Sequence, residues 1–324
     1  MDTPALLLDQ AAFERNLAAM RRVLGRARLR PHVKSHKCTA IARRQMREGA
    51  VGLSCATLDE AEAMAGIGDV LLTSPVVGAE KIARLRRLRR ATVVVDHPAH
   101  VRALDGLNVG VLVDLDVGLG RGGVSTPAEA AALARMAGPR FRGLQAYSGR
   151  VQHLPTPQAR ERLARTIARR IRDVREAVGP CEIVSGGGTG SADVDAALGV
   201  FTEIQAGSYV FMDQIYLRNR GTPFRASLRV ACTIVSVRPD GSATVDAGTK
   251  QFPRGPVPEV DGPGRYRFAG DEHGRVFGLL RPTLGARVYL RVPHCDPTVN
   301  LYPALQVVAR GRVAGTWRID ARRS

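Results

Sequence analysis

Leu29-Arg30-Pro31-His32-Val33-Lys34-Ser35-His36-Lys37 is the stretch on which the fold turns. It reads as a short β-rich run that ends in a lysine. An open, doubly wound sheet would carry a glycine fingerprint after its first strand, and none stands here. Seven more β-rich runs follow: Val51-Gly52-Leu53-Ser54, Val70-Leu71-Leu72, Thr92-Val93-Val94-Val95, Val109-Gly110-Val111-Leu112-Val113, Phe141-Arg142-Gly143-Leu144-Gln145, Glu182-Ile183-Val184 and Phe201-Thr202-Glu203-Ile204. Amphipathic stretches of helical period lie between them, for example residues 127–136 and 157–177. Eight β/α repeats with parallel strands predict an α/β fold of the (β/α)8 TIM-barrel type.

After residue 223 the texture changes. Runs such as Ala243-Thr244-Val245-Asp246 and Ala286-Arg287-Val288-Tyr289-Leu290 are separated by Pro and Gly clusters, which predicts a smaller C-terminal all-β domain. The expected division is a barrel over 10–222 and a β domain over 223–324, with residues 1–9 pairing with the latter. The 324 residues, 44% of them hydrophobic, suffice for such a core. No apolar run reaches the roughly 20 residues of a membrane span, and the first residues lack a basic leader, so the expectation is a cytoplasmic protein without a membrane partner. Five scattered cysteines without a C-x-x-C pair read as reduced thiols. The net charge of +18 is carried mostly by arginines spread over helix faces, which reads as solvated surface rather than a nucleic-acid stripe. Lysine occurs only at 34, 37, 81 and 250, so a Schiff base would have four candidates.

Barrel enzymes place their chemistry at the C-terminal ends of the strands. Lys34 lies there, where partial desolvation is expected to lower its pKa and make it a nucleophile. Ser185-Gly186-Gly187-Gly188-Thr189-Gly190-Ser191 follows the seventh strand and precedes a helical pattern at 192–198. Its backbone N–H groups and the Thr189 hydroxyl suit a phosphate. Gln205-Ala206-Gly207-Ser208-Tyr209 ends the eighth strand and is expected to add N–H donors and a phenol to the same cup. A phosphate cup, a lysine at the mouth and no nucleotide motif point to pyridoxal 5'-phosphate. In the β domain, His294-Cys295-Asp296 on an extended segment would turn His294 and Asp296 to one face. An imidazole with a carboxylate suits a divalent metal, Mn²⁺ best and Zn²⁺ or Mg²⁺ as alternatives; an isolated pair also suits a hydrogen-bonded turn.

Seven segments resemble one family in matching order: residues 31–37 (PHVKSHK), 114–123 (DLDVGLGRGG), 143–153 (GLQAYSGRVQH), 185–191 (SGGGTGS), 202–213 (TEIQAGSYVFMD), 271–274 (DEHG) and 293–302 (PHCDPTVNLY). They are similar to the D-threonine aldolase and D-serine dehydratase family of fold-type III, alanine-racemase-like pyridoxal-phosphate enzymes. The resemblance implies Lys34, not Lys37, as the Schiff-base lysine. It implies Arg121 beside the cofactor's phenolic oxygen or the substrate carboxylate, Tyr147 against the ring, and Gly188, Thr189, Gly207, Ser208 and Tyr209 around the phosphate. Gln205 falls where alanine racemases carry an arginine facing the pyridine nitrogen, and a neutral partner there is expected to support less positive charge on the ring. A His-x-Asp pair resembles the aldolase branch, a His-x-Cys pair the dehydratase branch.

The activity implied is retro-aldol cleavage of a small D-β-hydroxy-α-amino acid to glycine and an aldehyde. His153 is the expected base, acting directly or through metal-bound water. Alternatives are D-serine dehydratase-like elimination, D-3-hydroxyaspartate cleavage and a non-catalytic cofactor carrier. The chain departs from many aldolase-like members at Tyr147-Ser148-Gly149-Arg150 and at Ala56-Thr57, which bears on substrate identity. The family also implies a homodimer.

Overall fold

The computed structural model describes residues 1–322. Strand β1 (Ala5–Asp9) belongs to the C-terminal sheet. The next eight, β2 (Arg28–Leu29), β3 (Leu53–Cys55), β4 (Val70–Leu72), β5 (Ala91–Val95), β6 (Gly110–Asp114), β7 (Phe141–Ala146), β8 (Ile183–Gly186) and β9 (Glu203–Ile204), are all parallel. They form one curled sheet in the order β2-β9-β8-β7-β6-β5-β4-β3. Its two ends meet where His32 bridges Ser54 and the Ser54 N–H donates to the Pro31 carbonyl at 2.9 Å. The expected barrel is therefore the observed one.

The first strand is shorter than its β-rich run. Its ladder spans only Arg28–Leu29, because Pro31 has no N–H to continue it, and the chain then tightens into a 3₁₀ turn at Val33–Ser35. The helical expectations hold closely, with helices at Pro127–Ala137, Pro157–Val178 and Ala192–Leu198. The first of these begins with a reciprocal cap: Glu129 N–H donates to the Thr126 hydroxyl while the Glu129 carboxylate accepts from the Thr126 N–H.

Outward-facing Val and Leu of the strands join the helices in one large core, whereas Leu71, Val94, Leu112 and Ile183 form a separate buried cluster inside the barrel. This apolar layer from β4, β5, β6 and β8 is the floor on which the mouth stands. Gly143 is required where the register of β6 and β7 slips: at φ 139° a Cβ would sit 1.9 Å from the Ile183 carbonyl oxygen.

The second sheet comprises β1 with β10 (Leu228–Val237), β11 (Ala243–Val245), β12 (Glu259–Val260), β13 (Arg265–Phe268), β14 (Gly274–Phe277), β15 (Arg287–Arg291), β16 (Ala304–Ala309) and β17 (Arg312–Arg318). Its main path is β13-β14-β11-β10-β1-β16-β17, with β15 on β10 and β12 on β15. Strand β1 lies antiparallel to β10 and parallel to β16, so the chain begins in the β domain, crosses into the barrel and returns. Among the described residues, no helix is long and apolar enough to cross a membrane.

If the four-residue layer holds the barrel floor, Leu112→Ala destabilises by about 2–5 kcal/mol, because the cavity it leaves cannot fully collapse. Leu280→Ala, at a side chain 87% exposed, stays within about 0.5 kcal/mol. Equilibrium denaturation of the two variants beside the parent checks this; equal effects would refute the assignment of the layer.

Candidate active site

The 3₁₀ turn lifts Lys34 out of the barrel wall. His32 caps it: the Lys34 N–H donates to His32 Nδ1 at 3.4 Å, while Nε2 meets the Thr73 hydroxyl at 3.1 Å. Burial, and then the positive charge of Lys34 beside it, holds His32 well below the usual imidazole range, so it stays neutral. Lys37, three residues on, turns away into a buried ion pair with Glu60 at 2.5 Å, and Lys250 pairs with Glu272 on the surface. Lys34 lines the cavity at the mouth, and Lys81 lines a neighbouring one.

The protonation of Lys34 differs from the expectation. Burial works against the Lys34 ammonium, but Asp296 Oδ2 at 3.7 Å and the Tyr147 phenol more than offset it, and the pKa is raised rather than lowered. The sequence did not reveal that a carboxylate from another domain stands over this lysine.

A cavity of about 350 Å³ opens beside Lys34, lined among others by His32, Thr73, Arg121, Gln145, Tyr147 and Gln205. Lys34 Nζ and the Arg121 guanidinium lie 5.8 and 5.9 Å from the centre of the Tyr147 ring. Arg121 stands on the glycine-rich loop after β6, whose shape Asp116 sets by accepting the N–H groups of Gly118, Leu119 and Gly120 at 2.9–3.0 Å. The cavity floor is polar. Gln145 donates to the Thr73 carbonyl and to Asp114, and Gln205 donates to Gln145 and to the Ser185 hydroxyl. His32, Asp114 and Gln145 are members of this site that sequence reasoning passed over, although each lies in one of the seven family-like segments.

The glycine run 186–190 and the 205–209 segment do come together. Gly207 must be glycine, since a Cβ there would fall 2.5 Å from the His32 carbonyl oxygen, and that contact seats the segment against the lysine turn. Thr189 and Ser208 are buried beside one another's loops. The Thr189 hydroxyl accepts the Tyr209 N–H at 3.0 Å, and the Tyr209 phenol points into the core, where it accepts from Gln45 at 3.1 Å. Tyr209 therefore joins the two loops instead of presenting its phenol to the cup. Gln152, also unforeseen, holds the glycine run: its Oε1 accepts the Gly190 N–H at 2.9 Å and its Nε2 donates to Ser191 Oγ at 2.8 Å.

His153 caps the short helix Gly149–Gln152, partly exposed, with its ring 5.1 Å from that of Tyr216. Burial lowers its pKa, and Asp213, His294, Asp296 and Lys34 are the titratable groups around it. The segment carrying His294 and Asp296 is helical, contrary to the extended expectation: Cys295–Asn300 is a helix with His294 as its first flanking residue. Asp296 and Pro297 in the first turn suit a helix start, Pro because its missing N–H is not needed there. Asp213 accepts the Cys295 N–H at 2.8 Å and the Tyr216 N–H at 3.0 Å, and so fixes the β domain to the barrel at this point. Asp296 reaches back to Ser208 Oγ at 3.2 Å as well as to Lys34. Among the described residues, no group of three or more His, Cys, Asp or Glu forms a complete metal cage. The donor chemistry of His294 and Asp296 fits a divalent ion completed by water or substrate. For pyridoxal phosphate, a lysine, an aromatic face, a guanidinium and a polar floor line one cavity, and these residues fit it.

Comparison with known proteins follows the same lines. Residues 8–214 match the family described as alanine racemase, N-terminal domain, and residues 227–308 match a serine dehydratase domain. The chain is 42% identical to a D-threonine aldolase of Arthrobacter sp., over 99% of this chain and 93% of that protein. It is 35% identical to a 3-hydroxy-D-aspartate aldolase of Paracoccus denitrificans, over 99% and 92%. The crystal structure of D-threonine aldolase from Filomicrobium marinum superimposes with a TM-score of 0.93 at 37% identity, covering 99% of this chain and 96% of that one.

Beside the glycine run, Asp195 is buried and accepts from Ser191 Oγ at 2.5 Å, and burial pushes its carboxyl up to about 7. A carboxyl raised above its unfolded value of 3.8 stabilises the fold fully below 3.8, and that contribution is lost as pH rises through about 7. Asp195→Asn, which keeps an acceptor for Ser191, should therefore gain on the parent as pH rises from 5 to 8, by on the order of 2 kcal/mol. Denaturant titrations at both pH values measure it, and a gap that does not change with pH would contradict the burial of an ionising Asp195.

Proposed function

This chain belongs to the D-threonine aldolase and D-serine dehydratase family of fold-type III pyridoxal-phosphate enzymes, and we propose that it cleaves a D-β-hydroxy-α-amino acid to glycine and an aldehyde with the help of a divalent metal. It is a carbon–carbon lyase of the D-threonine aldolase type. The observation that carries the fuller reading is the approach of Asp296 Oδ2 to within 3.7 Å of Lys34 Nζ, with His153 and His294 around the same space. It supports a site in which the barrel holds the cofactor and the β domain holds the far end of the substrate.

Lys34 would hold pyridoxal phosphate, which would supply an electron sink for the pair released when Cα–Cβ breaks once the substrate amine has taken the lysine's place. His294 and Asp296 would hold the divalent cation, manganese by preference and zinc or magnesium as alternatives, which acidifies a bound hydroxyl. The rest is done by the chain itself. Arg121 offers a guanidinium fork to a carboxylate or phenolate at the mouth. Tyr147 gives the cavity one aromatic wall. His153, whose pKa lies below the usual imidazole range, takes the β-hydroxyl proton as the C–C bond opens and the β-carbon becomes an aldehyde; Cα then gains a proton to give glycine. We place this chemistry in the cytoplasm.

Borohydride reduction of the cofactor-loaded protein followed by peptide mapping should label Lys34, and a product screen with Mn²⁺ should yield glycine and an aldehyde from D- but not L-substrates. Label on Lys37 or Lys250 would refute the lysine. Keto acid and ammonia as the sole products would move the chain to the dehydratase reading, which the match of residues 227–308 keeps in view.

His153→Gln keeps a polar side chain but cannot act as a base. It should lower kcat by about 10²–10⁴. The parent's kcat should rise with pH along a limb centred below 6.5, because the His153 pKa is lowered. A variant that keeps both the rate and the limb would exclude His153 as the base.

A further inference from the structure

Two amides on the cavity floor have no freedom of orientation. The Thr73 carbonyl can only accept, and Gln145 Nε2 lies 3.2 Å from it, with its second hydrogen on Asp114 Oδ1 at 2.9 Å. A rotated Gln145 would set its own carbonyl against a carbonyl and a carboxylate, so the NH₂ must point this way. Its Oε1 then faces Gln205 as an acceptor, and Gln205 Nε2 donates to it at 3.2 Å and to Ser185 Oγ at 2.9 Å. Both hydrogens of Gln205 are therefore spent on the protein. Gln145 and Ser185 are 1% and 0% exposed, so water does not substitute for these partners. The atom of Gln205 left to serve the cavity is Oε1, a pure acceptor.

We infer that the cavity floor presents a locked carbonyl oxygen, Gln205 Oε1, that selects a ring ligand carrying a proton on its nitrogen. The inference rests on the pyridoxal-phosphate reading above. Lys34 and Gln205 line the same cavity, so with the aldehyde carbon held at Lys34 the pyridine nitrogen, opposite that carbon on the ring, would be the ring atom turned to Gln205. An arginine in this position could only donate and would keep that nitrogen unprotonated, whereas a fixed carbonyl accepts from a pyridinium N–H and favours the charged ring. The orientation of Gln205 thus reverses the expectation that its neutral side chain supports less charge. A protonated ring is the stronger sink for the electron pair of the broken C–C bond. Gln145 and Thr73 act here as positioning residues, through Gln205.

The test is the ¹⁵N NMR shift of ring-labelled pyridoxal phosphate bound to the intact protein at neutral pH, for the parent, Gln205→Glu and Gln205→Arg, with borohydride trapping on Lys34 as the check of loading. The parent and Gln205→Glu should resonate in the pyridinium range, and Gln205→Arg in the neutral-pyridine range. A parent signal in the neutral range overturns the inference while leaving the function above intact, and so does a Gln205→Arg signal that stays in the pyridinium range. If Gln205→Arg fails to load, the parent spectrum alone still decides. A parent that takes up no cofactor overturns both this inference and the reading it rests on.

Discussion

The site depends on one buried carboxylate. Asp213, at the end of the segment that follows β9, accepts the N–H groups of Tyr216 and of Cys295 and so ties the first turn of the Cys295–Asn300 helix to the barrel. Burial pushes the carboxyl upward in pKa even though these donors favour its charged form. A buried carboxylate kept only by its donors is costly to strand, which makes the joint specific: a displaced β domain would leave Asp213 without partners. Gln214 adds to it, donating from its backbone to the Val292 carbonyl at 3.3 Å and from its side chain to that of Arg291 at 3.1 Å. Through this joint Asp296 arrives at Lys34 and Ser208.

The barrel divides its interior between two tasks. Low in the barrel, Leu71, Val94, Leu112 and Ile183 fill the space with apolar volume. Above them, Ser185, Gln145 and Gln205 replace it with a buried polar network in which the amide hydrogens of both glutamines have acceptors. Such a network stabilises only when complete, and here the Thr73 carbonyl fixes Gln145, which in turn fixes Gln205. The glycine loops use the same device, since Gln152, Ser191 and Asp195 hold the 186–191 run by hydrogen bonds from behind.

Much of this was legible beforehand. The eight β-rich runs, the change of texture after residue 223 and the lysine after the first run are local patterns, and hydrophobic period and glycine spacing report them directly. Less legible was anything decided by contacts distant in sequence. The segment at 294–296 reads as extended from its neighbours, yet Asp213 supplies a helix-starting acceptor 82 residues away. The Tyr209 phenol reads as a cup donor from its position, yet Gln45 claims it for the core.

What the sequence determined by itself was the order of elements, the barrel and the set of chemically useful residues, because periodicity and turn chemistry are properties of short stretches. The tertiary structure alone decided the state of those residues. Lys34 becomes a more stable ammonium because a carboxylate of the other domain lies 3.7 Å away. Gln205 becomes an acceptor because the backbone carbonyl of Thr73, just beyond another strand, orients the glutamine beside it. Charge and hydrogen-bond polarity are set by neighbours in space, and the chain supplies those neighbours only once it has folded.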